Sequence, residues 1–222
     1  MEMEKTRARL YRTAKGYGCL FWALVLAGVG VACMERTKLG LRALMPIALA
    51  YLLPLGEGLM SLRNAEPLRR RRGWLRGAIA LAVTIVYLTP MAVWWWFKPE
   101  VAYFAYNVMA LYVASIAFLV VQCRLVGGYA AFLKDDALKT EAALGSGMVL
   151  ALTGLALGLL WYVLRDYPHR SPVALMKGLL SLRPEARVLL FLPHVIVAYL
   201  LLSARRAGLR HLLSDMDAVS PE

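Results

Sequence analysis

The chain is poor in the residues that most often carry chemistry. Asp and Glu together number 14 and His only 3, against 26 Lys and Arg. The three cysteines, Cys19, Cys33 and Cys123, stand far apart with no Cys-x-x-Cys spacing. That excludes a zinc ribbon, an iron–sulfur ligand set and a disulfide scaffold, and no metal site is expected. No Walker loop, Gly-x-Gly-x-x-Gly turn, His-Glu-x-x-His helix or Gly-x-Ser-x-Gly elbow occurs, so no nucleotide site or familiar catalytic site is read and no cofactor is expected. No aspartate lies inside a long apolar run, which lowers the case for an intramembrane protease or phosphatase.

What is present is apolar surface. Hydrophobic residues make up 60% of the 222 and charged ones 18%, yet the formal net charge is +12. Soluble domains run at about 45–50% and about 25%. High hydropathy and high charge coexist in one chain only if they are segregated, which is the pattern of a polytopic membrane protein. A helix crosses a hydrocarbon core of about 30 Å with about 20 apolar residues. Six stretches qualify: Tyr17–Met34, Leu39–Leu62, Trp74–Phe97, Val101–Cys123, Ala142–Leu164 and Val188–Ala204. They are continuously apolar rather than alternating, so helices are expected and not a barrel. The predicted fold is all-α, a six-transmembrane-helix bundle with short loops. Residues 1–16 form a basic cytoplasmic segment, 17–204 the spanning domain and 205–222 a polar, frayed tail.

Basic residues orient the bundle. With the N-terminus inside, seventeen of the 26 basic residues fall on the cytoplasmic side and nine outside. Arg69, Arg70, Arg71 and Arg72 cast the strongest vote; residues 165–187 vote against it. The expected location is a bacterial-type inner membrane with both termini cytoplasmic. The arginine run lies between two spans, so its expected partner is anionic lipid headgroups rather than nucleic acid. The first span, with its basic lead and the run Gly30-Val31-Ala32-Cys33, outlines a signal peptide but is long for one, and is expected to be retained.

Trp94, Trp95, Trp96 and Phe97 end the third span, and Tyr103, Phe104 and Tyr106 begin the fourth. A tight hairpin at Lys98-Pro99-Glu100 ringed by an interfacial aromatic belt is expected, in preference to an aromatic ligand platform. Residues 124–141 carry Leu125, Tyr129, Phe132, Leu133 and Leu138 at helical spacing and predict an amphipathic helix lying on the inner surface. Residues 172–182 are apolar but too short to span, and an interfacial segment is preferred to a re-entrant one. Gly58-Leu59-Met60-Ser61-Leu62-Arg63 echoes Gly178-Leu179-Leu180-Ser181-Leu182-Arg183, but the flanks do not extend the match and chance accounts for it.

Four features point toward function. Ala143, Gly147, Ala151, Gly154 and Gly158 fall on one face of the fifth span and predict close helix packing. Packing within the bundle is preferred, with a seam to a membrane partner or second copy as the alternative. Glu57 lies between Gly56 and Gly58, after Pro46 and Pro54, in a second span those prolines should break. A carboxylate at membrane depth needs a partner or a path. Interface pairing with Arg63, Arg69 or Arg76 competes with an ion or substrate pathway. His194, after Pro193, stands at a depth from which it can approach Glu57. Asn107 and Gln122 extend the polar inventory of the spans. The leading expectation is a transport-associated membrane subunit, a small permease or permease partner, with a polar interior around Glu57 and His194. A non-catalytic scaffold and an intramembrane enzyme acting on lipid-linked substrates are the alternatives.

Overall fold

In the computed structural model, residues 2–36, 40–63, 71–165, 173–174, 178 and 184–217 are described. Every element among them is helical: α1 (Glu2–Arg36), α2 (Leu41–Leu49), α3 (Leu52–Arg63), α4 (Arg72–Phe97), α5 (Ala102–Leu133), α6 (Asp136–Leu164) and α7 (Pro184–Asp217). Six helical segments are long and apolar enough to cross a membrane, with α2 and α3 sharing one crossing. The chain is an all-helical multi-pass membrane protein. α1 packs between α3 and α7, while α5 packs against α4, α6 and α7.

The second span breaks as expected, but next to Pro54 alone; Pro46 lies inside α2 without interrupting it. The helix breaks at Ala50–Tyr51, and Pro54 falls in the first turn of α3. A first-turn proline sits where an amide would lack an intrahelical partner. The hairpin between α4 and α5 is as short as its sequence implies. Lys98 donates its N–H to the Trp94 and Trp95 carbonyls, and α5 starts at Ala102.

The expected surface helix over residues 124–141 is not formed. α5 runs on without a break to Leu133, a helix of 32 residues, about 48 Å long. Leu125, Val126, Tyr129, Ala130 and Leu133 are buried in the main core. Their spacing was amphipathic because one face meets the bundle, and α1 and α7 rise beside it to bury that face. α5 stops where Lys134 turns left-handed (φ 56°). Asp135 then caps α6, its carboxylate accepting the Leu138 N–H at 2.9 Å. The expected polar ends are likewise helical. α1 begins at Glu2 and α7 continues to Asp217, with Ala204, Ala207 and Gly208 buried.

The small-residue stripe of α6 does not pack inside the bundle. Ala143, Gly147, Ala151, Gly154 and Gly158 are all exposed, and a Cβ on any of the three glycines would meet open space. The packing face is its neighbour: Ala142, Gly145, Ser146, Val149 and Ala156. Both faces are apolar in sequence, so spacing alone does not choose between them. The close backbone contact occurs instead between α1 and α3. There a Cβ on Gly58 would stand 2.8 Å from Leu20 Cγ and 3.0 Å from the Gly16 carbonyl.

The core divides along the bundle axis. At the end carrying both termini, Tyr17 and Tyr129 are fully buried with ring centroids 5.3 Å apart. The Tyr129 hydroxyl there lies against Gly208. Toward the hairpin end the helices part around a cavity. Of residues 172–182 only 173, 174 and 178 are described; Val173 packs against the Trp95–Ala105 cluster.

Candidate functional site: an apolar cavity beneath the aromatic hairpin

The cavity has a volume of ≈ 320 Å³ and is walled by α1, α2, α3, α4, α5 and α7, with Tyr51 at the α2–α3 break. That volume lies at the lower end of the range for small-molecule sites, about 300–1,000 Å³. Its walls are apolar for local reasons. α1 contributes Leu20, Ala23, Leu24 and Ala27, one heptad-like face on which the alanines leave room. α4 contributes Ile85, Thr89, Ala92, Trp95 and Trp96, and α5 contributes Tyr112, Ser115, Phe118 and Leu119.

Two of the polar wall groups are engaged with the protein. Thr89 Oγ1 lies 2.6 Å from the Tyr51 hydroxyl and donates to the Ile85 carbonyl at 2.8 Å. This bond ties the α2–α3 break to α4 next to Pro90. Thr89 satisfies its hydroxyl by back-bonding to its own helix one turn earlier. His194 and Trp95 are different. Nδ1 of His194 and Nε1 of Trp95 are buried without a hydrogen-bond partner among the described residues. His194 touches the Phe191 ring, with centroids 6.1 Å apart. Among the described residues it is the one imidazole in the wall.

The four tryptophan-hairpin aromatics therefore split between two tasks. Trp94 and Phe97 face outward, and Trp94 stacks on Phe104 at 6.3 Å, as a belt requires. Trp95 and Trp96 turn inward and line the cavity. Four consecutive residues of a helix necessarily cover all sides, which is why belt and platform readings of the same run both find a place.

Glu57 stands elsewhere. Its Oε1 lies 2.6 Å from Lys15 Nζ, and the two side chains are 53% and 49% exposed. It is absent from the cavity wall. The pair bridges α3 to α1 beside the Gly16–Gly58 contact, where close backbones let two long side chains meet across the groove. The expected partners were arginines; Arg63 and Arg76 form no ion pair with Glu57, and Arg69 and Arg70 lie outside the described residues. Lys15 was legible only as part of a basic leader, because the helical continuation of α1 that aims it at Glu57 is a tertiary fact.

Asn107 bonds its own helix, Nδ2 donating to the Tyr103 carbonyl at 2.7 Å. Gln122 is fully buried, with neither Oε1 nor Nε2 hydrogen-bonded within the described residues. It lies one turn beyond Phe118 and Leu119 on α5, below the cavity floor. The structure thus brings His194 to a cavity, places Gln122 beneath it, and leaves Glu57 and Asn107 outside. Among the described residues no group of three or more His, Cys, Asp or Glu side chains is placed to hold a metal. Comparison with protein-family models, curated proteins and solved structures finds no match for this chain.

Proposed function

We propose that the protein binds the apolar chain of a lipid or lipid-linked molecule in the cavity beneath its aromatic hairpin. The observation that carries this reading is a space of ≈ 320 Å³ walled almost wholly by hydrocarbon, with His194 at its edge. Ligand sites are mostly apolar with a few polar groups that set orientation. His194, the Trp95 indole and the Tyr112 hydroxyl, each with a polar atom that is buried without a hydrogen-bond partner among the described residues, are available for that task. An ion path is less well supported, because Glu57 is paired with Lys15 at an exposed position away from the cavity. The basic-residue bias supports an inner-membrane protein with both termini cytoplasmic.

A permease-like role for the same ligand is favoured by one observation, the unpartnered amide of Gln122 under the cavity floor. A buried amide without partners costs free energy, and a second arrangement that opens the floor would solvate it.

Native mass spectrometry of protein released from lipid nanodiscs tests the binding reading. The wild type should retain a stoichiometric lipid. Ala27→Phe with Ala92→Phe, which fill the cavity, should lose it while remaining helical and monodisperse. Equal retention by the filled variant would remove the cavity from the account.

A further inference from the structure

The arginines at the terminal end of the α4–α5 hairpin form a surface separate from the cavity. The two helices run antiparallel from Phe97 beside Ala102 to Arg71, whose side chain lies against Gly128: a Cβ there would stand 2.9 Å from the arginine Cδ and Nε. The bare backbone at Gly128 lets the guanidinium stem lie flat on α5; a side chain there would displace it. This register sets depth. Counting 1.5 Å per residue from the hairpin, Arg76 and Arg124 stand roughly 32–33 Å away and Arg71 and Arg72 roughly 38 Å. A hydrocarbon core is about 30 Å thick, so all four fall at the level of lipid phosphates. Arg124 lies one turn from Gly128 on the same face of α5, which brings it toward Arg71. Arg72, Arg76 and Arg124 are exposed, and Trp74, 45% exposed, stands among them at the depth where tryptophan prefers to lie.

Among the described residues no acidic side chain answers this charge. None of the four arginines has an ion pair among the described residues. The first turn of α4 contains no acidic residue and Arg71 caps it with no side-chain hydrogen bond. Cations at a helix N-terminus oppose the helix dipole, whereas an anion there is favourable. Two helices therefore bring four positive charges to the level of the lipid phosphates, with the Arg71 stem laid against α5.

We infer that the surface formed by Arg71, Arg72, Arg76 and Arg124 is a binding site for an anionic phospholipid whose headgroup carries two phosphates. One phosphate meets Arg76 and Arg124 at the hydrocarbon edge, and the second meets Arg71 and Arg72 about one turn farther out. A singly charged headgroup engages only one of these pairs.

The full-length protein in neutral-lipid nanodiscs is titrated with diphosphatidylglycerol, phosphatidylglycerol, phosphatidylcholine or inorganic phosphate, and binding is read by native mass spectrometry. Diphosphatidylglycerol should bind tightest, and inorganic phosphate should not compete. Arg76→Gln with Arg124→Gln should weaken it about 30-fold. Arg206→Gln with Arg210→Gln, the same charge change on α7, should alter it less than about twofold. Equal losses in the two double variants would mean a net-charge effect and overturn the site. Competition by inorganic phosphate, or equal binding of the two anionic lipids, would overturn the assigned ligand.

Discussion

The terminal end of the bundle is closed and the hairpin end is open, though the same helices build both. At the closed end, glycines bring α1 onto α3, and Tyr17 and Tyr129 fill the space between α1, α5 and α7. At the open end alanines occupy many of the inward positions, Trp95 and Trp96 line the wall, and ≈ 320 Å³ is left. The difference is one of side-chain volume at facing positions, not of hydrophobicity, which is high throughout. In a bilayer, lipid tails are as apolar as leucine, so packing rather than hydrophobicity decides which surfaces close. A void under that rule is a place where matching volume is missing, and a lipid chain can supply it.

Overfilling the closed end should do the most damage. Gly58→Leu drives a branched side chain into Leu20 and the Gly16 carbonyl, and thermal unfolding in detergent should show a loss of about 3 kcal/mol. Gly28→Leu, at a cavity-wall glycine whose Cβ would meet nothing within 4 Å, should cost less than about 1 kcal/mol. Equal penalties at the two sites would erase the contrast between the ends. Gln122→Leu sits at the boundary between them. Removing an amide with no partner should raise stability by about 1–2 kcal/mol; a fall would mean the amide is satisfied in the working state.

Two smaller effects refine the picture. Glu57→Gln removes an exposed ion pair and should change stability by at most about 1 kcal/mol. It should also leave lipid retention unchanged, since Glu57 stands off the cavity wall. Lipid loss in that variant would reconnect Glu57 with the site. Gly154→Ala, on the outward face of α6, should stay within about 0.5 kcal/mol in the monomer.

Much of the fold was legible because bilayer thickness and continuous apolar runs leave few options. The six crossings, the proline break at Ala50–Tyr51 and the hairpin at Lys98–Glu100 follow from local composition. What was not legible depended on neighbours. Residues 124–133 look like a surface helix until α1 and α7 are seen to extend beside them. The Gly154–Gly158 face and the Gly145–Val149 face are both apolar in sequence, and the positions of α5 and α7 select between them. Of the site, His194 was identifiable as an odd polar residue in an apolar span. The cavity was not, because a void is a sum over six walls that no single segment encodes.

Photolabelling in a bilayer with a phospholipid whose acyl chain carries a diazirine distinguishes a lipid-filled cavity from an empty one. Labels should concentrate on cavity-wall residues such as Ala27, Ala92 and Ser115 and disappear in Ala27→Phe with Ala92→Phe. Labels spread evenly over exposed residues such as Leu53, Val83 and Val113, with no response to the filled variant, would contradict a lipid-filled cavity.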